Sequence, residues 1–278
     1  MVLDIVPTNL FTPFSRGNTL QILFVAIVVG LTMIVIGEET QQVAVFAEQR
    51  SHIVNSIMGV IGKLVPLFVF GSLFNIIAGS DVSLLLDAGK FFFGTLIGCL
   101  VILISHIVLA CAMTRISPAA LCRKTFSTFL IGLTTASSSA AFADNLKVCT
   151  EKLGISPKLA NFAVPFGQIL YKPGTAVMYW FAAVSVAETS GLTVSAAWAV
   201  TALVISIVLS AATPPIPGGT TASFSILFAQ LGLPAESLAI ILALNVIQEF
   251  FRTATNLFAG QCVVLTASRS FGMYGKEN

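Results

Sequence analysis

Between Glu188 and Glu236 the chain runs for 47 residues without an Asp, Glu, Lys or Arg, and near its middle this run is cut by Thr213-Pro214-Pro215-Ile216-Pro217-Gly218-Gly219. A membrane helix needs about 20 mainly apolar residues, so the run is too long for one span. A Pro/Gly break at its centre makes it two helical arms that meet at a tip. The composition agrees: 56% of the 278 residues are hydrophobic and 9% are charged, against roughly 25% charged in a soluble domain. A soluble enzyme is excluded. The 22 Phe residues argue against a disordered chain, since disorder goes with few aromatics and high charge. A net charge of +2 is too small and too scattered for a nucleic-acid footprint, so no nucleic acid is expected as a partner. The five cysteines, Cys99, Cys111, Cys122, Cys149 and Cys262, form no C-x-x-C and read as small apolar side chains.

The other apolar stretches lie at 17–37, at 53–78 (interrupted by Lys63), at 91–114, at 159–187 and at 237–267. The stretch at 91–114 is the cleanest, 24 residues without a charge. Residues 125–143, TFSTFLIGLTTASSSAAFA, are uncharged but too polar in their second half to face lipid as a full span. The stretch at 159–187 is broken at its middle by Tyr171-Lys172-Pro173-Gly174.

Short loops rich in Lys and Arg mark the cytoplasmic side. Arg115, Arg123 and Lys124 precede the serine-rich segment, and Lys147, Lys152 and Lys158 follow it. Both of its ends are therefore expected on the cytoplasmic face, which makes it re-entrant. The tail with Arg269 and Lys276 falls on the same side, whereas the loops with Glu188 and Glu236 carry no Lys or Arg. The Pro/Gly-tipped pair is then re-entrant from outside. Two opposed hairpins and a broken helix are the pseudo-symmetric layout of secondary transporters. Irregular backbone at membrane depth is tolerated only where protein or a cavity surrounds it, so the three breaks should converge on one site. The fold expected is an all-α polytopic membrane protein. Residues 1–90 form partial scaffold-like helices and 91–278 a transport-like domain, with hairpins at about 125–145 and 193–234. The first 18 residues, with Pro7, Pro13 and charges, do not read as a signal peptide. Loop counting puts this N-terminus outside, from which a further N-terminal part is expected.

An ionisable residue within a span is a functional-site hypothesis by default. In the last stretch Asn245, Glu249, Arg252, Thr253 and Asn256 recur at spacings of three and four and share one helical face. Glu249 and Arg252 either neutralise each other and hold helices together, or form a site for an anion or zwitterion. In the second case Arg252 offers a planar donor fork to a carboxylate, Glu249 takes an ammonium, and Thr253 and Asn256 add neutral hydrogen bonds. Ser137-Ser138-Ser139, at the tip of the first hairpin, reads either as small packing residues or as hydroxyls and free N–H groups that receive a carboxylate. Lys172 either snorkels or fixes a positive charge at membrane depth. His52 and His106 share no ligand spacing, so no metal site is expected. With no G-x-S-x-G and no His near the serines, catalysis is not expected either.

Taken in order, the motifs resemble the dicarboxylate/amino acid:cation symporters, the glutamate-transporter fold. They are Thr135-Ala136-Ser137-Ser138-Ser139-Ala140, the interrupted helix, Ile216-Pro217-Gly218-Gly219, and Phe251-Arg252-Thr253-Ala254-Thr255-Asn256. The linkers Cys149-Thr150-Glu151-Lys152-Leu153-Gly154-Ile155-Ser156 and Leu231-Gly232-Leu233-Pro234 extend the likeness over essentially the whole chain. The resemblance implies an elevator-type symporter in the cytoplasmic membrane, usually trimeric. Such a protein carries acidic or small neutral amino acids or C4-dicarboxylates with Na⁺ or H⁺ and needs no cofactor. It implies that Ser138, Ser139 and the tip Ile216-Pro217-Gly218 contact substrate, with that tip as gate. It also implies Thr175 beside the substrate's distal group, Arg252 on a distal carboxylate, Glu249 where the family has an Asp for the amino group, and Asn256 on the main carboxylate.

Departures are equally informative. The family's Asn-Met-Asp-Gly-Thr signature reads here Tyr171-Lys172-Pro173-Gly174-Thr175, without the Asn and Asp used for sodium. The family's Asp one turn beyond the last-helix Asn corresponds to about Gly260. Hard cations need oxygen ligands, so the expectation at Tyr171, Lys172, Gly174 and Gly260 is of degraded sodium handling, with Lys172 as a tethered cation and H⁺ or exchange as the driving force. The family's three preceding helices have no counterpart ahead of Met1. That leaves a second reading, a truncated or receptor-like homologue that binds ligand without moving it.

Overall fold

The computed structural model describes residues 6–16, 19–47, 49–50, 53, 82–213 and 219–275. The predicted span at 53–78, beyond its first residue, and the tip Ile216-Pro217-Gly218 lie outside them. Every named element is a helix, and strand-like pairing among the described residues is limited to one bridge between Ile155 and Tyr274. We label the main helices α1 (Thr19–Ile36), α2 (Val82–Thr114), α3 (Pro118–Thr135), α4 (Phe142–Lys147), α5 (Pro157–Leu170), α6 (Pro173–Thr189), α7 (Ala196–Ala212), α8 (Thr221–Leu231) and α9 (Leu238–Ser270).

Local sequence explains the boundaries. Ser117 and Ser156 each cap a helix whose first residue is Pro, accepting from the backbone N–H of Ala120 and Leu159. The hydroxyl takes one orphan donor, and Pro lacks a donor where none can be used. Lys172 stands before Pro173 with φ −129° and ψ 64°. Steric conflict with a following Pro ring keeps such a residue out of the helical region. Hence α5 stops at Leu170 and α6 starts afresh at Pro173.

Helix α2 shows what the low charge is for. Phe93, Ile97, Leu100, Val101, Ile104 and Val108 form an exposed apolar stripe at helical spacing, suited to lipid. Gly94 and Gly98 lie on the side packed against α6. A Cβ at Gly94 would fall 2.5 Å from Phe181 Cδ1, and one at Gly98 2.3 Å from Val177 Cγ1. Two glycines four apart thus let the helices approach closely, as lipid-embedded packing favours. The segments Gly89–Thr114 and Ala235–Ser270 are long and apolar enough to cross a membrane.

Helix α9 is the central post, packed against α2, α3, α5 and α6. Its ends belong to two different apolar clusters. Ile241 and Leu244 join Phe91, Tyr179, Phe224 and Phe228. Phe258, Cys262 and Leu265 join Leu121, Val148, Leu153 and Ile155. Between these anchors the buried residues Asn245, Gln248, Glu249, Arg252, Thr253 and Asn256 are polar. The polar face is therefore clamped at both ends and cannot slide without unpacking a core.

Candidate functional site

The polar middle of α9 meets the start of α6 and the start of α8. Arg252 is 6% exposed; its NH2 group lies 3.2 Å from Glu249 Oε1, and NH1 donates to Thr175 Oγ1 at 3.0 Å. Asn256 Nδ2 donates to the same Thr175 oxygen at 2.9 Å. Asn256 Oδ1 accepts the backbone N–H of Gly174 at 2.8 Å, satisfying one orphan donor of the α6 N-terminus. Gly174 is required by this approach, since a Cβ there would lie 3.0 Å from Asn256 Oδ1 and 3.2 Å from the Arg252 carbonyl.

Glu249 has partners on both sides. Thr220, immediately before α8, donates to its Oε1 at 3.2 Å, and Asn245 Nδ2 donates to Thr220 Oγ1 at 2.9 Å. The carboxylate thus ties α9 to the residue that follows the Pro/Gly tip. Thr220 carried no signal in the sequence beyond lying next to that tip. The ion pair between Glu249 and Arg252 exists, yet it leaves Arg252 Nε buried and without a partner among the described residues. A buried guanidinium donor left open costs about 1–3 kcal/mol or more, so this edge is suited to an incoming acceptor.

Lys172 is 5% exposed and does not snorkel: its ammonium donates to the backbone carbonyl of Thr213, the residue that ends α7. The Thr213 hydroxyl is also held, 2.7 Å from Tyr179 Oη and 3.1 Å from Ser223 Oγ. A cation at a helix C-terminus meets the negative end of its dipole. The first arm of the Pro/Gly-tipped pair is thereby wired to α6.

At the serine tip, α3 ends on Ala136, which adopts φ +51°, a left-handed conformation rare outside Gly. Ser137 and Ser138 are buried, Ser139 is partly buried and accepts at its carbonyl from the Phe142 N–H, and Ser137 Oγ accepts from the Ala140 N–H. Ser138 lines a cavity together with Asn145, Gln168, Tyr171, Asn256, Gly260 and Gln261, with space for about one water molecule. Thr253 is buried on the same stretch of α9. The serine tip, the Tyr171–Thr175 segment and the α9 face are thus brought together, while Ile216-Pro217-Gly218 fall outside the described residues.

One contact made by Tyr171, a residue of this cavity wall, left no sign in the sequence. His106, alone in the middle of an apolar helix, has its Nε2 2.7 Å from Tyr171 Oη. The chemistry available at the site is binding: donors, one ion pair and a cation, enclosed by helices. Among the described residues no group of three His, Cys, Asp or Glu is placed to hold a metal ion.

A polar, partly charged centre held between apolar layers, on helices whose outer faces suit lipid, defines a helical membrane protein. The chain belongs to the sodium:dicarboxylate symporter family, whose profile matches residues 1–270, and the resemblance read from the motifs is borne out. It is 25% identical to the L-cystine uptake protein TcyP of Bacillus cereus, over 98% of this chain and 60% of that protein. It is 27% identical to C4-dicarboxylate transport protein 1 of Pseudomonas aeruginosa, over 94% of this chain and 58% of that protein. The chain therefore spans about 60% of the length of these curated relatives.

Proposed function

We propose that this chain carries the substrate-handling part of a secondary active transporter in the cytoplasmic membrane, with its C-terminus in the cytoplasm. It moves a small anionic solute, a C4-dicarboxylate or a carboxylate-bearing amino acid, by an elevator motion of residues 91–278, in a trimer. The observation that carries this reading is the open, buried Nε of Arg252 beside Thr175 and Asn256. In this reading Arg252 takes a distal carboxylate on that edge while its NH2 stays on Glu249. Ser137, Ser138, Ser139 and Asn256 take the second carboxylate, and Glu249 and Thr253 complete the pocket. The helix pairs α3–α4 and α7–α8 act as opposed re-entrant hairpins, α5–α6 is the broken helix, and Ile216-Pro217-Gly218 is the gate. The names of the two relatives, one for L-cystine and one for C4-dicarboxylates, support the substrate class.

Coupling is to H⁺ or to exchange rather than to Na⁺. Lys172 supports this, since its ammonium already sits on the Thr213 carbonyl, where it does the work of a bound cation. The test is uptake of radiolabelled succinate and L-cystine into proteoliposomes with imposed Na⁺ or H⁺ gradients. We expect uptake of at least one of the two without Na⁺, and loss of acidic more than neutral substrates in Arg252→Cys. Uptake that follows a Na⁺ gradient and survives Lys172→Met unchanged overturns the coupling; competition by succinate unaltered in Arg252→Cys makes Arg252 structural.

A further inference from the structure

The contact between α2 and the α5–α6 junction has a defined hydrogen-bond sense. His106 Nδ1 lies 2.7 Å from the backbone carbonyl of Ile102 and 3.4 Å from Ser105 Oγ. A carbonyl only accepts, so Nδ1 carries hydrogen, and in the neutral ring Nε2 is the acceptor. The Tyr171 hydroxyl, 2.7 Å from Nε2, is then the donor. A proton added to His106 can go only to Nε2. That nitrogen then donates to the Tyr171 oxygen, and the hydroxyl hydrogen must turn to another acceptor.

Tyr171 shares a cavity with Gln261, whose side chain carries an acceptor. Gln261 is 1% exposed; its Nε2 donates to Thr128 Oγ1 at 2.9 Å, but its Oε1 has no partner among the described residues. The amide nitrogen of Gln168, on the same cavity wall, is likewise buried and without a partner among the described residues. Native proteins rarely leave buried polar atoms orphaned without a reason. Gln168 and Gln261 thus line a cavity with room for about one water, the one with a donor and the other with an acceptor left open among the described residues.

We propose that His106 and Tyr171 form a proton-binding relay that opens into this cavity, with protonation of His106 turning the Tyr171 hydroxyl toward Gln261. In the charging step Tyr171 passes its hydrogen to His106 Nε2 and takes one from a hydrated proton in the cavity. One positive charge ends on the imidazole and one water is left behind. Because Tyr171 adjoins Lys172 and the α6 N-terminus, the charge arrives at the junction that positions Thr175 and Asn256. Imidazole is the side chain that ordinarily changes charge between about pH 5 and 8. The titratable groups packed near the pair are thiols: Cys111 on α2 and Cys262 on α9, in the apolar cluster that includes Ile107, and Cys149, which lines the cavity with Tyr171. Lys172 is turned to Thr213, Asp144 of α4 accepts from Thr128, and no described carboxylate pairs with His106.

The relay's part in transport rests on the transporter reading above, so the test has two arms. In the first, the untagged 278-residue chain carrying His52→Gln, which leaves His106 as its one histidine, is ring-labelled and followed by NMR in nanodiscs from about pH 5 to 8. We expect a neutral Nδ1–H tautomer at high pH, a charged ring at low pH, and a titration that Tyr171→Phe displaces. A ring that keeps one protonation state, or that titrates identically in Tyr171→Phe, overturns the relay. In the second arm, uptake of labelled succinate and L-cystine is driven by a pH gradient at fixed voltage. One coupled proton gives accumulation of about tenfold per pH unit, and His106→Gln should lose that dependence. If His106→Gln keeps the wild-type dependence, the relay is not the coupling site. If the wild-type protein takes up neither solute, the transport reading falls, and the NMR arm alone upholds or overturns the proton site.

Discussion

The polar face of α9 has two halves that solve the problem of buried polarity in opposite ways. Toward its N-terminal end, Glu249 and Arg252 are charged and wired to Thr220, Asn245 and Thr175. Beyond Asn256 the cavity is lined by Gly260 and Gln261 together with Gln168 of α5, and Gln168 Nε2 and Gln261 Oε1 have no partner among the described residues. A charged pair is expensive to break because each partner alone would be a buried, uncompensated ion. A neutral cavity tolerates loss of a group at the cost of about one hydrogen bond. The first half is therefore suited to holding a charged solute against one fixed geometry. The second is suited to a change of hydrogen-bond direction.

The largest effect that separates the halves is expected at Arg252. Arg252→Met takes the guanidinium away from Glu249, which is 4% exposed, and should cost about 3–5 kcal/mol of stability. Thermal unfolding of the detergent-solubilised protein measures it. Adding Glu249→Gln removes the stranded charge and should recover most of that loss without recovering succinate binding. If the double variant binds succinate as the wild type does, the charged half serves the fold and not the solute.

Second in size is an attempt to make the neutral half resemble the charged one. A Cβ at Gly260 meets nothing within 4 Å, so the first atom of a side chain fits there, in the cavity wall. Gly260→Asp supplies the hard carboxylate ligand that the sequence lacks. We expect the variant to gain stability from Na⁺, about 2.7 kcal/mol at a concentration of 100 times Kd, where the wild type gains none over K⁺. Equal response to the two salts in the variant would mean that the remaining oxygens are wrongly placed for a cation.

The two halves were unequally legible in the sequence. Asn245, Glu249, Arg252, Thr253 and Asn256 announced a common face because charge is rare in this chain and helical spacing is regular. Lys172 was legible for the same reason, but not its choice between snorkelling and a carbonyl on α7, which depends on the path of a separate helix. The neutral half was silent. Gln168 and Gln261 are ordinary residues until packing removes their partners, and His106 meets Tyr171 across 65 positions of sequence. The fold is marked by Pro, Gly and charge-free length, which act locally. Hydrogen-bond sense is a tertiary property and leaves no periodic trace.

The smallest effect probes that silent half. Gln261→Leu keeps the volume nearly constant, removes the orphaned Oε1, and takes one donor from Thr128, whose own hydroxyl still donates to Asp144 at 2.7 Å. In the form with the Tyr171 hydrogen on His106 Nε2, the variant should lose about 1 kcal/mol of stability. In the relay's protonated form the turned hydroxyl has lost its acceptor, so on lowering the pH from about 8 to about 5 the cost should grow by a further amount of about 1 kcal/mol. The sign is fixed by the direction of the relay: removing an acceptor needed only by the protonated form destabilises more as pH falls. Thermal unfolding of variant and wild type at the two pH values measures the difference. A gap independent of pH would mean that the Tyr171 hydrogen never leaves His106, and the neutral half would then be as static as the charged one.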